Sequence, residues 1–324
     1  MKAGADIVID EPLDSTFAEN LTTIQDIYAT WYDDAERIAV RGPTVAPPPA
    51  PNPKYTATFF SGGVDSFYTL LKHKEEIDAL VYVHGFDVKL SDSKLRAQVS
   101  DMLHRVGEAF GKEVIEVETN LRDFSDFHVD WGQYHGAGLA TVALSLQDRV
   151  DHIHIASSLP YNNLKPWGSS PVLDPLWSTG KLEIIHDGCE ADRLAKCEVV
   201  SQSETALSHL RVCWENRNNA YNCGRCEKCL RSMVQLLATD GLDRCTRFEQ
   251  PLDPARLRRL HEVREKSYHY GPARDALDEK RIAPDVVQAI DAALQEPSIL
   301  QRMYQQVYKQ ARWVYHRVRA RLSN

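Results

Sequence analysis

The stretch that most constrains this chain is Tyr55 to Ser66, YTATFFSGGVDS. Tyr55 to Phe60 is a short apolar run rich in aromatic and β-branched residues, which predicts a buried strand. It ends abruptly at Ser61-Gly62-Gly63, and Phe67-Tyr68-Thr69-Leu70-Leu71 opens a helical pattern predicted over 66–75. Strand, glycine turn and helix in that order form a geometry that receives anions. The glycines let the backbone approach a ligand closely, and the free N–H groups at a helix start point toward it with the positive end of the helix dipole. Ser61 and Ser66 add hydroxyl donors, and Asp65 adds a carboxylate able to hold Mg²⁺. No Gly-Lys-Ser/Thr follows, so this is not a Walker A loop.

The same alternation continues for about 150 residues. Buried strands are predicted at 79–84, 114–117, 152–156 and 181–186. Helices are predicted at 95–110, 138–146 and 192–212. Such alternation implies βαβ units and an α/β, doubly wound, mainly parallel sheet with helices on both faces. Ligands of these sheets sit outside the carboxyl ends of the strands, where the strand order reverses. The Ser-Gly-Gly turn lies at such an end, as do His84 and Phe86, Ser157-Ser158, and His186-Asp187-Gly188.

In residues 213–231, nine residues separate Cys213 from Cys223, with two CxxC steps to Cys226 and Cys229. Two-residue spacing lets thiolates converge on one ion, and four of them suit a structural, tetrahedral Zn²⁺, one per chain. A cysteine-bound iron–sulfur cluster or free thiols are the competing readings. Seven cysteines, an odd number, favour metal or free thiols over a disulfide framework. Cys189, Cys197 and Cys245 read as small buried hydrophobes. No Ser-His-Asp or Cys-His arrangement is evident.

SGGVDS after an apolar strand resembles the PP-loop of the ATP pyrophosphatase superfamily, whose fold is of the adenine nucleotide alpha hydrolase-like type. Taken with the later Cys-x₉-Cys-x₂-Cys-x₂-Cys-x-Arg segment, it resembles most the QueC 7-cyano-7-deazaguanine synthase family, over roughly residues 55–235. The resemblance implies an enzyme, an ATP-dependent C–N ligase. It would adenylate a small carboxylate such as 7-carboxy-7-deazaguanine, release pyrophosphate, and form an amide or nitrile with ammonia or an amine. QueC-like proteins also occur in anti-phage gene clusters, where the same activation serves conjugation. ATP and Mg²⁺ would be held by Phe60, Ser61, Gly62, Gly63, Val64, Asp65 and Ser66. His84 and Phe86 would lie near the adenine. Lys196, in Leu-Ala-Lys-Cys-Glu-Val-Val, resembles the family's phosphate-binding lysine, and with Asp65 and Ser66 it completes the catalytic set. The chain departs from the family at Tyr134-His135-Gly136-Ala137-Gly138, where an Arg-Asn pair is usual, and at Ser169 to Pro175, where Tyr-Pro-Asp-Cys-Arg is usual. Asp174, His135 and Arg122 are candidates for an altered substrate pocket. The alternative is a PP-loop enzyme that thiolates a tRNA base.

Around this unit the chain divides into a small N-terminal piece (1–42), a proline-rich linker (43–54), the α/β unit (55–212), the cysteine segment (213–235) and a helical C-terminal region (236–324). Gly42 to Pro53 holds six prolines, the composition of a semi-rigid spacer. The net charge of −8 argues against nucleic-acid binding by the whole surface. From Arg302 onward, however, there are six Lys/Arg and no Asp or Glu on an amphipathic pattern. That helix reads as packing on the core or on a second subunit, with RNA or an acidic protein as the other partners. No apolar stretch approaches the ~18 residues that would span a membrane. The N-terminus lacks a signal-like apolar run, so the expectation is a cytoplasmic protein with no membrane partner.

Overall fold

The computed structural model describes residues 1–46 and 55–295. Most of the proline-rich linker and the basic C-terminal helix lie outside the described residues.

The N-terminal piece is built from two pairs of two-residue parallel strands around one helix. β1 (Ile7–Val8) pairs with β3 (Val40–Arg41), and β2 (Leu13–Asp14) pairs with β4 (Thr44–Val45). Between them runs α1 (Ser15–Trp31), whose N-terminus is capped by Asp14 accepting from Phe17 N at 3.1 Å. The strands are only two residues long, and the helix stops at Trp31. The piece lies against the α/β unit: Phe17 meets Trp177 at 6.3 Å between ring centroids, and Gly180 N donates to Asp14 Oδ2.

The main sheet has five strands: β5 (Thr56–Phe59), β6 (Ala79–His84), β7 (Glu113–Glu118), β8 (His152–Ala156) and β9 (Glu183–Asp187). Their spatial order is β7-β6-β5-β8-β9, and every neighbouring pair is parallel. The chain therefore builds outward from β5 through β6 to β7, then returns to the other side of β5 for β8 and β9. The order reverses between β5 and β8, which is where a parallel sheet opens a crevice at its carboxyl edge.

Helices cover both faces, as buried parallel strands require. On one face Leu80 and Tyr82 pack with α2 (Val64–Lys72), α3 (Ser93–Phe110), α6 (Arg193–Ser201) and α7 (Glu204–His209). On the other, Val81, Val83, Ile153, Ile155 and Ile184 pack with α5 (Trp131–Ser145), which follows the short α4 (Leu121–Ser125). The helix expected over 192–212 is two helices. Ser203 accepts from Ala206 N at 3.2 Å and so starts a new helix instead of continuing the old one. Beyond it, α8 (Glu227–Ala238) grows from the cysteine segment and packs with α9 (Pro254–Arg259), α10 (Glu262–Glu265), α11 (Ser267–Glu279) and α12 (Pro284–Leu294) around Leu230, Val234, Tyr270 and Leu277. The C-terminal region is mainly helical as far as 295, the last described residue.

Phe67 on α2 is fully buried and meets Phe60 edge-on at 4.9 Å between ring centroids. Replacing Phe67 with alanine should cost about 3–5 kcal/mol, read as a lower midpoint in urea unfolding. A loss below about 1 kcal/mol would show that α2 is not pinned to the sheet by this contact.

Candidate functional site

The crevice at the switch point has a volume of about 270 Å³. Ser61, Asp65 and Ser66 reach it from the turn after β5. Ser157 and Ser158 enter from the end of β8, Phe86 and Asp87 from the end of β6, and His186 from β9. Residues distant in sequence thus meet because each follows a strand of the same parallel sheet.

The turn after β5 is held by its own backbone. Gly62 has φ +74°, and a Cβ there would come within 2.8 Å of Met102 Cε. Its carbonyl accepts from Arg211 N at 2.7 Å. Gly63 occupies the N-cap of α2 without offering a side chain, which leaves the helix's first N–H groups unclaimed by a cap. Ser66 Oγ donates to Gly63 O at 3.0 Å. Val64 is buried in the core, so its expected contribution to a ligand is confined to the backbone.

Asp65 differs from expectation. The Arg193 guanidinium donates to its Oδ2, and Lys196 Nζ stands 3.5 Å from its Oδ1. Burial alone would raise its pKa, but Arg193, Lys196 and Lys228 outweigh it and hold the carboxyl well below the ordinary range. It is therefore the anion at the centre of three cations, and only Oδ1 is left without a hydrogen bond among the described residues. The physical reason is the packing of α6 onto α2 and of α8 onto α6, which sequence periodicity could not reveal.

Lys196 is 2% exposed and donates to Ser157 O at 2.7 Å. It stands immediately behind the crevice wall, tied to the ends of both β5 and β8. Gly188, φ +94°, clears its path: a Cβ there would sit 3.2 Å from Nζ. Lys228, which sequence reading missed, lines the crevice directly. Burial pushes its ammonium below its ordinary pKa, against the pull of Asp87. It makes no hydrogen bond or ion pair among the described residues. Its neighbour Glu227 turns the other way, to Arg231, Lys266 and Tyr270. Successive helix residues point about 100° apart, and that separation sends Lys228 into the crevice.

His84, expected near a base, faces the α3 layer: its Nε2 pairs with Glu116 Oε2 at 2.6 Å, and it is absent from the crevice lining. Side chains alternate along β6, and His84 shares the face of Tyr82. Phe86 does line the crevice and packs on Trp131 at 4.8 Å. With His135 and Trp167, whose rings are 5.4 Å apart, they give the crevice an aromatic half. Arg122 stacks over Trp131 and donates to Phe86 O, supporting this wall from behind.

Asp174 is fully buried and accepts from Ser169 Oγ at 2.6 Å, and it meets His186 Nδ1 at 2.7 Å. His186 Nε2 is buried with no partner among the described residues, beside the Cys189 thiol, whose Sγ donates to Ser157 Oγ at 3.2 Å. A Cys-His-Asp neighbourhood therefore exists that the sequence did not make evident. Burial opposes charge on His186, but Asp174 and then Cys189 raise its pKa to about 9.

The cysteine segment adjoins this crevice through α8. Cys213, Cys223, Cys226 and Cys229 are all buried. Cys213 and Cys226 sulfurs are 3.9 Å apart, as are those of Cys223 and Cys229. A tetrahedral ion with Zn–S bonds of ~2.3 Å needs sulfurs ~3.8 Å apart, so the four thiols fit zinc. Cys226 N donates to Cys223 Sγ and Cys229 N to Cys226 Sγ, contacts that favour thiolates. Cys189, Cys197 and Cys245 are buried too, but none joins this group of four.

No protein-family model matches the chain, and no curated protein matches it. Among the described residues no helix is long and apolar enough to cross a membrane.

Two outcomes follow from this geometry. Because the folded pKa of His186 is raised, its stabilisation is complete below about pH 6.5 and lost as pH rises toward 9. The free energy of unfolding should fall across that window by on the order of 3 kcal/mol, read as a lower melting temperature. Asp174→Asn should flatten the dependence; an unchanged slope would dissociate it from this pair. Cys226→Ser should lower zinc content and reduce the melting temperature by on the order of 10 °C. An unaltered melting curve would rule out a structural ion.

Proposed function

We propose that this chain is a QueC-like PP-loop ATP pyrophosphatase that adenylates a small carboxylic acid and transfers the acyl group to ammonia or an amine. The observation that carries the reading is the convergence, on one switch-point crevice, of the SGGVDS turn, a cluster of three cations about Asp65, and a helix rooted in four cysteines.

The chemistry follows from these parts. The substrate carboxylate oxygen attacks the α-phosphorus of ATP. The bond to the β-phosphate bridging oxygen breaks, and pyrophosphate leaves. The N–H groups at the start of α2, with Ser61 and Ser66, suit its phosphate oxygens. Lys228 has no partner to give up and suits the developing charge, while Arg193 and Lys196 add fixed positive field from behind. The amine then attacks the acyl carbon, AMP departs, and the nitrogen loses a proton. Mg²⁺ would supply further neutralisation of the phosphates, with Asp65 Oδ1 its candidate ligand. Zinc in the cysteine centre would hold α8, and with it Lys228, in place. The aromatic half of the crevice, Phe86, Trp131, His135 and Trp167, suits a planar acid such as 7-carboxy-7-deazaguanine or a relative.

The test is pyrophosphate against phosphate release from ATP and Mg²⁺, with and without 7-carboxy-7-deazaguanine, followed by mass spectrometry of the product. Stimulated pyrophosphate release with an amide or nitrile product supports enzyme and substrate together. Pyrophosphate without stimulation supports adenylation and moves the acid elsewhere. Absence of both would sink the reading. Lys228→Met should slow turnover by about 100-fold with zinc content unchanged. Asp65→Asn, which keeps the shape but removes the charge that orders three cations, should abolish it.

A further inference from the structure

On the flank of β9, away from the crevice, a second group of metal-binding side chains is assembled. His73, at the end of α2, His154, on β8, and Asp187, at the end of β9, bring one ligand atom each to within 4.8 Å of one another. The two imidazole rings stack at 4.6 Å between centroids with 27° between planes. His73 Nε2 is 3.0 Å from Asp187 Oδ1. We propose that this trio is a second metal site, taking a divalent transition ion of the zinc type through two imidazoles and one carboxylate with a position left open to solvent.

Three features carry this inference. First, His154 is 4% exposed, and its Nδ1 has no hydrogen-bond partner among the described residues. A buried ring nitrogen without a partner calls for an explanation, and an ion held by the trio would supply one. Second, the surroundings resemble the outer shell of a metal site. Glu76 Oε2 lies 3.3 Å from His73 Nδ1, so that with a proton on Nδ1 the Nε2 lone pair is kept for an ion. Thr69 Oγ1 donates to Asp187 Oδ2 at 2.8 Å, which fixes the carboxylate and leaves Oδ1 on the side of the histidines. Third, the site is reachable. His73 and Lys72 are 20% and 34% exposed while Asp187 is 7% exposed, so an ion enters from solvent and binds at a buried carboxylate. Two imidazoles and a carboxylate are the donor set of open zinc centres and of related mononuclear sites.

Lys72 is the competitor. Its Nζ lies 2.8 Å from Asp187 Oδ1 and 2.6 Å from Glu190 Oε1. It keeps Glu190 as an anchor when Asp187 turns to the ion, so binding need not strand a charge. The site is independent of the proposed acyl transfer and of the four cysteines.

Calorimetric titration of the full chain with Zn²⁺, paired with elemental analysis, tests it. The wild type should bind two ions per chain, one in the cysteine centre and a weaker second. His154→Ala and His73→Ala should each weaken the second by at least about tenfold, the lower end even for outer partners of a metal. His154→Phe keeps the stacked ring and should do the same, separating lost ligation from lost packing. Lys72→Met should tighten the second site, an effect that a merely structural network would not produce. A second ion that persists in the Cys226→Ser variant supports the site independently of the first. A wild type that binds only in the cysteine centre, or a second ion unaffected by the His154 variants, overturns it.

Discussion

The buried carboxylate of Asp65 is the point on which the crevice depends. Three cations from two other helices converge on it: Arg193 and Lys196 from α6, and Lys228 from α8. Burying that much positive charge without an anion would be prohibitive, and burying the anion without the cations equally so. The pairing fixes more than energy. Through Arg193 and Lys196 it locks the first turn of α2, and so the Ser-Gly-Gly turn, against the helix that follows β9, while Lys228 acts on Asp65 only through its field. Removing one partner would leave the others uncompensated in a poorly solvated place, so the arrangement is expected to act as a unit.

The cysteine cluster and the crevice are parts of one construction. Cys226 caps α8 and Cys229 lies in its first turn, so an ion held by the four sulfurs would define where α8 begins. Lys228 sits between those two ligands. Its direction into the crevice is set by the same helical turn that sends Glu227 toward Arg231 and Lys266. An ion held by these sulfurs would thereby fix the direction of Lys228 as well, because the rigid first turn of a helix transmits geometry over a few ångströms.

The opposite wall has a different character. Phe86, Trp131, His135 and Trp167 offer flat apolar faces, while Asp174 and His186 form a buried polar pair behind Ser169 and Ser170. The N-terminal piece leans on this side through Phe17 and Trp177 and through Asp14 and Gly180. The stretches 134–138 and 169–175 both contribute to this wall.

What the sequence determined by itself was everything governed by local periodicity and spacing. The strand, glycine turn and helix at 55–72, the alternation that yields a parallel sheet, and the four cysteines all depend on neighbours a few residues apart. The break at Ser203 was not legible: periodicity runs one helix across 192–212, and only the structure shows Ser203 capping a second helix there. Tertiary structure alone decided which side chains share a space. Nothing near His84 in sequence says that strand alternation turns it toward Glu116. Nothing near Asp65 announces Arg193, 128 residues on, and His186 finds Asp174 only because β9 brings the two together. Those contacts arise from how helices pack on a sheet, where burial forces charges to find partners far along the chain, and that long-range pairing leaves no periodic trace in the sequence.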